Sequence, residues 1–219
     1  ACAKNDIRPT AIAGRRGLEM LDLYEEVDKE IPLKGRRWAI SHINVISPRE
    51  IERVAKLGLV LTTHTNNYLY KSMTKTAEAL KPEQYGDIVP LNSLREAGVT
   101  VALATDNTPI TLWHPIQQTV LRKAFGTGQA FGESQALSRM NALRCATANG
   151  AYLTFDESKK GSLEVGKFAD LTVLSADPLT VASDQLSGIS ALMTMVGGKI
   201  VHATPGWDSS PGPRGESPT

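Results

Sequence analysis

The stretch VTVALATDNTPITLW (residues 99–113) sets the reading of the chain. Residues 99–104 form an apolar run with Gly98 in front, and the run stops at Thr105, Asp106 and Asn107, with Pro109 behind them. A short run of this kind, bounded by turn residues, reads as a strand buried on both faces, as in a parallel sheet. In such sheets the C-terminal ends of the strands are where reactive side chains are placed. Asp106 sits at that end. Two readings of it stand side by side, a cap for the helix that follows or a carboxylate in a site.

The bulk properties narrow the classes. The chain has 219 residues, 41% hydrophobic and 21% charged, with a formal net charge of +1. That length suits one large domain, or one domain with a small appendage. So balanced a charge offers no electrostatic footprint for nucleic acid or an anionic membrane. No apolar stretch is long enough to cross a bilayer, and ACAKNDIRPT has no hydrophobic signal core. Cys2 and Cys145 have no metal-type spacing and fit reduced thiols, so a cytoplasmic setting is expected.

Taken in order, residues 7–13 read as a strand and residues 17–31 as an amphipathic helix carrying Leu18, Leu21, Tyr24, Val27 and Ile31 on one face. Residues 38–43 (WAISHI) are a second strand ending near His42. Ser47, Pro48 and Glu50 give a capped helix start, and Gly58 a stop. Residues 59–63 are a third strand leading into His64, Thr65 and Asn66. Residues 68–87 form a polar excursion, expected to be an active-site loop or lid. A helix over 91–97 precedes the strand of the opening stretch. Strands alternating with helices specify a parallel sheet with crossover helices. Beyond Trp113, residues 114–125 and 134–148 read as helices. The chain then changes character: Gly-punctuated turns around a short strand at 160–167, a strand at 171–174, and a hairpin over 192–202 turning at Gly197 and Gly198. Residues 204–219, rich in Pro, Ser and Gly, are expected to be disordered. There is no internal repeat.

Several phrases occurring in order carry a resemblance. KKGSLEVGKFADLTVLSADP (159–178) and MTMVGGKIVH (193–202) are similar to the C-terminal signature of the amidohydrolase superfamily. SRMNALRCATANGAYL (138–153) resembles the last barrel helix of that family. RRWAISHINVISPREIERVAKLGLVLTTHTN (36–66) and LREAGVTVALATDN (94–107) resemble its sixth to eighth barrel strands, in the branch that includes N-substituted formamide deformylases. The resemblance covers residues 5–203.

It implies an α/β fold: the C-terminal half of a (β/α)8 TIM barrel in residues 1–155, then part of a small β-sandwich in residues 156–203. It also implies a metal-dependent hydrolase of C–N bonds in a small amide or formamide. The eighth-strand aspartate of the family, metal ligand or proton acceptor, carries over to Asp106, and the sixth-strand histidine ligand to His42. Neutral imidazole and carboxylate are good ligands for Zn²⁺. A satisfied core histidine is the plain alternative for His42.

The family usually has a fifth-strand histidine in a phrase like HAIGDRA. Here TAIAGRRG puts Ala11 in the ligand's place and Arg15 in the aspartate's, so one metal at most is expected. His64 reads as a substrate contact, a replacement ligand or a solvated loop histidine. His114 reads as a pocket-mouth residue or a packing one, and Asn66 and Asn107 as substrate contacts. Arg15 and Arg16 suit an anion or plain surface, and Arg36 and Arg37 a solvated pair. The first-strand His-x-His pair has no counterpart here, so the expected partner is a preceding barrel half or a partner chain, with homo-oligomerisation open. The rival functional reading is a catalytically silent scaffold of the same fold, used for assembly or ligand binding.

Overall fold

The computed structural model describes residues 1–13, 19–106 and 110–207. Its first part is a four-stranded parallel sheet in which spatial order follows chain order: β1 (Thr10–Ile12), β2 (Ala39–Ser41), β3 (Val60–Thr63) and β4 (Val101–Leu103). The register pairs Ala11 with Ile40, Ile40 with Leu61, and Thr62 with Ala102. Each strand is short, and β2, β3 and β4 are nearly enclosed on both faces, as continuous apolar runs require. All four C-terminal ends therefore lie on one side.

Crossover helices cover the sheet. The first, α1 (Glu19–Glu30), buries Leu21 and Tyr24. Next in the chain, α2 (Pro48–Leu57) has the capping box read from the sequence: Ser47 Oγ accepts from the Glu50 N–H, and Glu50 Oε2 accepts from the Ser47 N–H at 2.8 Å. Gly58 ends it at φ 65°, a left-handed conformation that costs glycine little. The two helices are joined by Arg53, which reaches Asp22 and Glu25.

The excursion at 68–87 is not a loose lid. Residues Asn66–Lys71 make a π-turn, α3 (Met73–Glu78) follows directly, and Pro82–Asp87 is a 3-10 turn. Leu69, Met73 and Ala77, spaced by four, are at most 2% exposed, so one apolar stripe anchors an otherwise polar segment in the core. After α4 (Leu91–Glu96) and β4, α5 (Trp113–Leu121) ends four residues before the expected boundary. The helix expected over 134–148 splits into α6 (Arg139–Ala146), N-capped by Ser138, and α7 (Ala148–Leu153), with Thr147 breaking the line at φ −127°, ψ −86°.

A second, antiparallel sheet contains β5 (Leu171–Leu174), β6 (Ala191–Val196) and β7 (Lys199–Ala203), with the hairpin at Gly197 and Gly198. No strand forms at 160–167; that segment is turns alone. Arg139 ties this region to α6 by donating to the Pro178 carbonyl and Ser183 Oγ, and Gln117 of α5 accepts from the Ser187 N–H. Thr204 continues the order past β7 by donating its N–H to the Leu192 carbonyl. The remainder of the expected disordered tail, from 208, lies outside the described residues.

Arg37 is not a solvated residue. Its guanidinium pairs with Glu157 and lies 3.6 Å from the Tyr152 ring centroid, holding the segment after α7 against the start of β2.

Candidate metal centre

Three side chains converge past the C-terminal ends of consecutive strands. His42 is the first residue after β2, and its backbone is left-handed at φ 64°, uncommon for a residue with a Cβ. The neighbouring N–H groups hold this turn: Ala13 donates to the Ser41 carbonyl and Ile43 to the Thr62 carbonyl. His64 is the first residue after β3. Its carbonyl accepts from the N–H groups of Asn67 and Tyr68, which starts the π-turn, and Thr65 Oγ1 donates to the Pro115 carbonyl at 2.8 Å. Asp106 follows β4 by three residues, after Ala104 has donated to the Thr63 carbonyl. One ligand-type atom from each of His42, His64 and Asp106 lies within 4.8 Å of the other two.

The environments of the three differ. Asp106 is exposed, His42 is half-buried, and His64 is only 5% exposed. Their imidazole rings meet edge to face, 4.3 Å between centroids. Burial, and then the neighbouring His42, hold the His64 imidazole below its ordinary range, with Asp106 opposing in part. A neutral ring keeps a lone pair for a cation. Nδ1 of His64 is enclosed and has no hydrogen-bond partner among the described residues.

A fourth group escaped the reading of the sequence. The Tyr68 hydroxyl lies 3.2 Å from His42 Nδ1, and its ring is 6.1 Å from that of His64. Burial and then the Asp106 charge push its pKa up. The signal was its spacing: a helical turn beginning at His64 brings residue 68 back to the same face.

His114, Asn66 and Asn107 are the other expected substrate contacts. His114 packs its ring edge on Tyr70 at 4.5 Å and is held below its ordinary range by burial. Asn66 is 1% exposed, and neither amide atom has a partner among the described residues. Asn107, Arg15 and Arg16 lie outside the described residues. Ala11 pairs with Ile40, two residues before His42, and Ala13, just past β1, donates its N–H to the Ser41 carbonyl; neither brings a ligand atom.

The residues present fit a metal ion. Two imidazoles and a carboxylate are a donor set suited to a divalent transition metal, and an enclosed nitrogen without a partner is a group that a cation would satisfy.

A parallel α/β sheet with two histidines and an aspartate past its strand ends defines the general class. Within it, the model of the family described as "Amidohydrolase family" matches residues 6–202. The chain belongs to the amidohydrolase family. It is 27% identical over 189 residues to the N-substituted formamide deformylase of Arthrobacter pascens, covering 85% of this chain and 34% of that protein. Its fold matches an uncharacterized metal-dependent hydrolase from Pyrococcus horikoshii with a TM-score of 0.67 at 23% identity, over 81% of this chain and 36% of that one. It also matches an adenosine deaminase from Xanthomonas campestris with bound zinc, TM-score 0.63 at 18% identity, over 92% of this chain and 47% of that one. The chain thus spans about a third of the length of the curated relatives it matches.

Proposed function

We propose that this chain is part of a metal-dependent amidohydrolase that cleaves a C–N bond of amide or formamide type in a small molecule. The observation supporting this reading is the gathering of His42, His64 and Asp106 at the ends of three adjacent parallel strands. On this reading β1 to β4 are the last four strands of an eight-stranded barrel within residues 1–155. Residues 156–203 then belong to a β-sandwich completed elsewhere, and the other four strands come from a preceding segment or a partner chain. The catalytic cleft is complete only with them.

His42 and Asp106 would hold a single ion, zinc or a similar divalent metal. When bound, such an ion polarises the substrate carbonyl and acidifies the attacking water. The chain's own groups handle protons and orientation. An Oδ of Asp106 accepts the proton of the water as its oxygen bonds the carbonyl carbon, and the same proton passes to the departing nitrogen as the C–N bond breaks. The products are a carboxylic acid, formic acid for a formamide, and an amine. The Tyr68 hydroxyl, 3.2 Å from His42 Nδ1, holds the orientation of that ring beside the cluster.

The test measures metal content and hydrolysis of a panel of N-substituted formamides and simple amides by the complete protein. Asp106→Asn is expected to lower kcat by about 10²-fold or more, the range for removing a positioned general base. A protein that carries no transition metal when purified without chelator, and whose turnover is indifferent to Asp106→Asn, is a silent scaffold and overturns the proposal.

A further inference from the structure

We infer that His64 is a protein ligand of the metal, supplied by β3 in place of the ligand that β1 lacks. The inference rests on the metal-hydrolase reading and concerns how this chain completes the site. Among the strand ends of this sheet, those of β2 and β4 bring His42 and Asp106, whereas Ala11 on β1 and Ala13 just past it bring no donor.

Position favours His64. In the strand order β1-β2-β3-β4, β3 stands between the strands that carry His42 and Asp106, so a residue just past its end faces both. Its ligand-type nitrogen lies within 4.8 Å of theirs, and its ring meets that of His42 at 4.3 Å. Chemistry favours it too. An imidazole only 5% exposed ordinarily has hydrogen-bond partners, yet Nδ1 of His64 has none among the described residues. The backbone around it is firmly held. Thr63 Oγ1 donates to the Ile43 carbonyl at 2.7 Å, Thr65 Oγ1 to the Pro115 carbonyl at 2.8 Å, and the His64 carbonyl accepts two N–H groups. A ring so anchored is oriented in advance, as a ligand needs to be. A purely structural histidine at this place would be expected to spend its ring nitrogens on the surrounding backbone, as Arg122 does with its guanidinium among three carbonyls.

The experiment titrates Co²⁺ and Zn²⁺ into the complete, metal-stripped protein, following competition with a chromophoric chelator and the visible spectrum of the cobalt form. One ion per chain is expected. His64→Asn, close in size to the imidazole, is expected to weaken binding about 100-fold or more, with the melting temperature of the metal-free protein close to that of the parent. His64→Cys is expected to bind Co²⁺ with a near-ultraviolet thiolate-to-metal absorption that the parent lacks. That signature requires the side chain at 64 to touch the ion, and it decides the matter even if the asparagine variant folds poorly. Parent-like affinity in the asparagine variant, with no thiolate band in the cysteine variant, overturns His64 as a ligand. A parent that takes up no metal overturns this inference and the metal-hydrolase reading together.

Discussion

At the scale of single residues, the site is a matter of which groups the strand ends bring within reach of one another. Tyr68 shows how a neighbour bears on His42, the residue proposed to hold the metal. Its hydroxyl, 3.2 Å from His42 Nδ1, restrains the orientation of that ring. Tyr68→Phe keeps the ring in its place against His64 and deletes the oxygen alone. Metal affinity or kcat/KM is expected to fall by about 10- to 100-fold, the range for lost outer partners of ligating histidines, with the urea midpoint almost unchanged. Unaltered metal affinity and kinetics in that variant would leave the hydroxyl without a role. The residues differ in how plainly the sequence displays them. Asp106 and His42 follow apolar runs that can be read as strands, so their places were legible. His64 follows a strand too, but a polar Thr-His-Thr-Asn-Asn string hides that its ring is enclosed, since burial comes from the packing of α5 and the π-turn. Tyr68 could be found only by knowing that a helical turn begins at His64.

At the scale of elements, local signals mark some boundaries well and others not at all. The capping box of α2 and its terminating glycine are written in Ser47, Pro48, Glu50 and Gly58, and the helix runs between them. The segment after His64 was misjudged because its polar residues outnumber the buried stripe of Leu69, Met73 and Ala77. The end of α5 was misplaced for a further reason, a buried charge. Arg122 takes a left-handed conformation at the C-cap, φ 50°, and turns its side chain into the interior, where it is fully enclosed. Its guanidinium donates to the carbonyls of Phe131 at 2.9 Å, Val89 at 3.0 Å and Ile88 at 2.6 Å, joining the end of α5 to two connections distant in sequence. Burial holds its pKa down to about 10, still well above neutrality, so the buried group is a cation at pH 7. Gly132 is part of the same fit, because a Cβ there would lie 2.4 Å from the Tyr85 carbonyl oxygen and 3.2 Å from the guanidinium. Arg122→Met retains much of the volume but strands three carbonyls. It is expected to lower unfolding free energy by about 3 kcal/mol in urea titration, and Arg122→Lys, which has no planar fork, to recover only part of that. A methionine variant as stable as the parent would mean that these carbonyls find other donors.

At the scale of the whole molecule, the parallel sheet has a first and a last strand with no further neighbour among the described residues. Asn149 covers one point of the β4 edge by donating to the Val101 carbonyl at 2.8 Å, which is little protection for a strand edge. The second sheet is open as well. Val201 is 62% exposed and Ile200 50%, while Leu163 and Val165 in the turns before β5 are almost wholly exposed or more than half so. Parallel alternation was legible from the sequence because each strand is a short apolar run followed by a helix, whereas the exposed apolar side chains of the second sheet carry no pattern that marks them as uncovered. Residues 1–219 expressed alone are therefore expected to self-associate or to remain poorly soluble, since unpaired edges and exposed apolar side chains seek partners. Sedimentation and light scattering would show this as concentration-dependent association. A monodisperse monomer with a single cooperative melt would show instead that the four-stranded sheet is self-sufficient, and the half-barrel reading would fail with it.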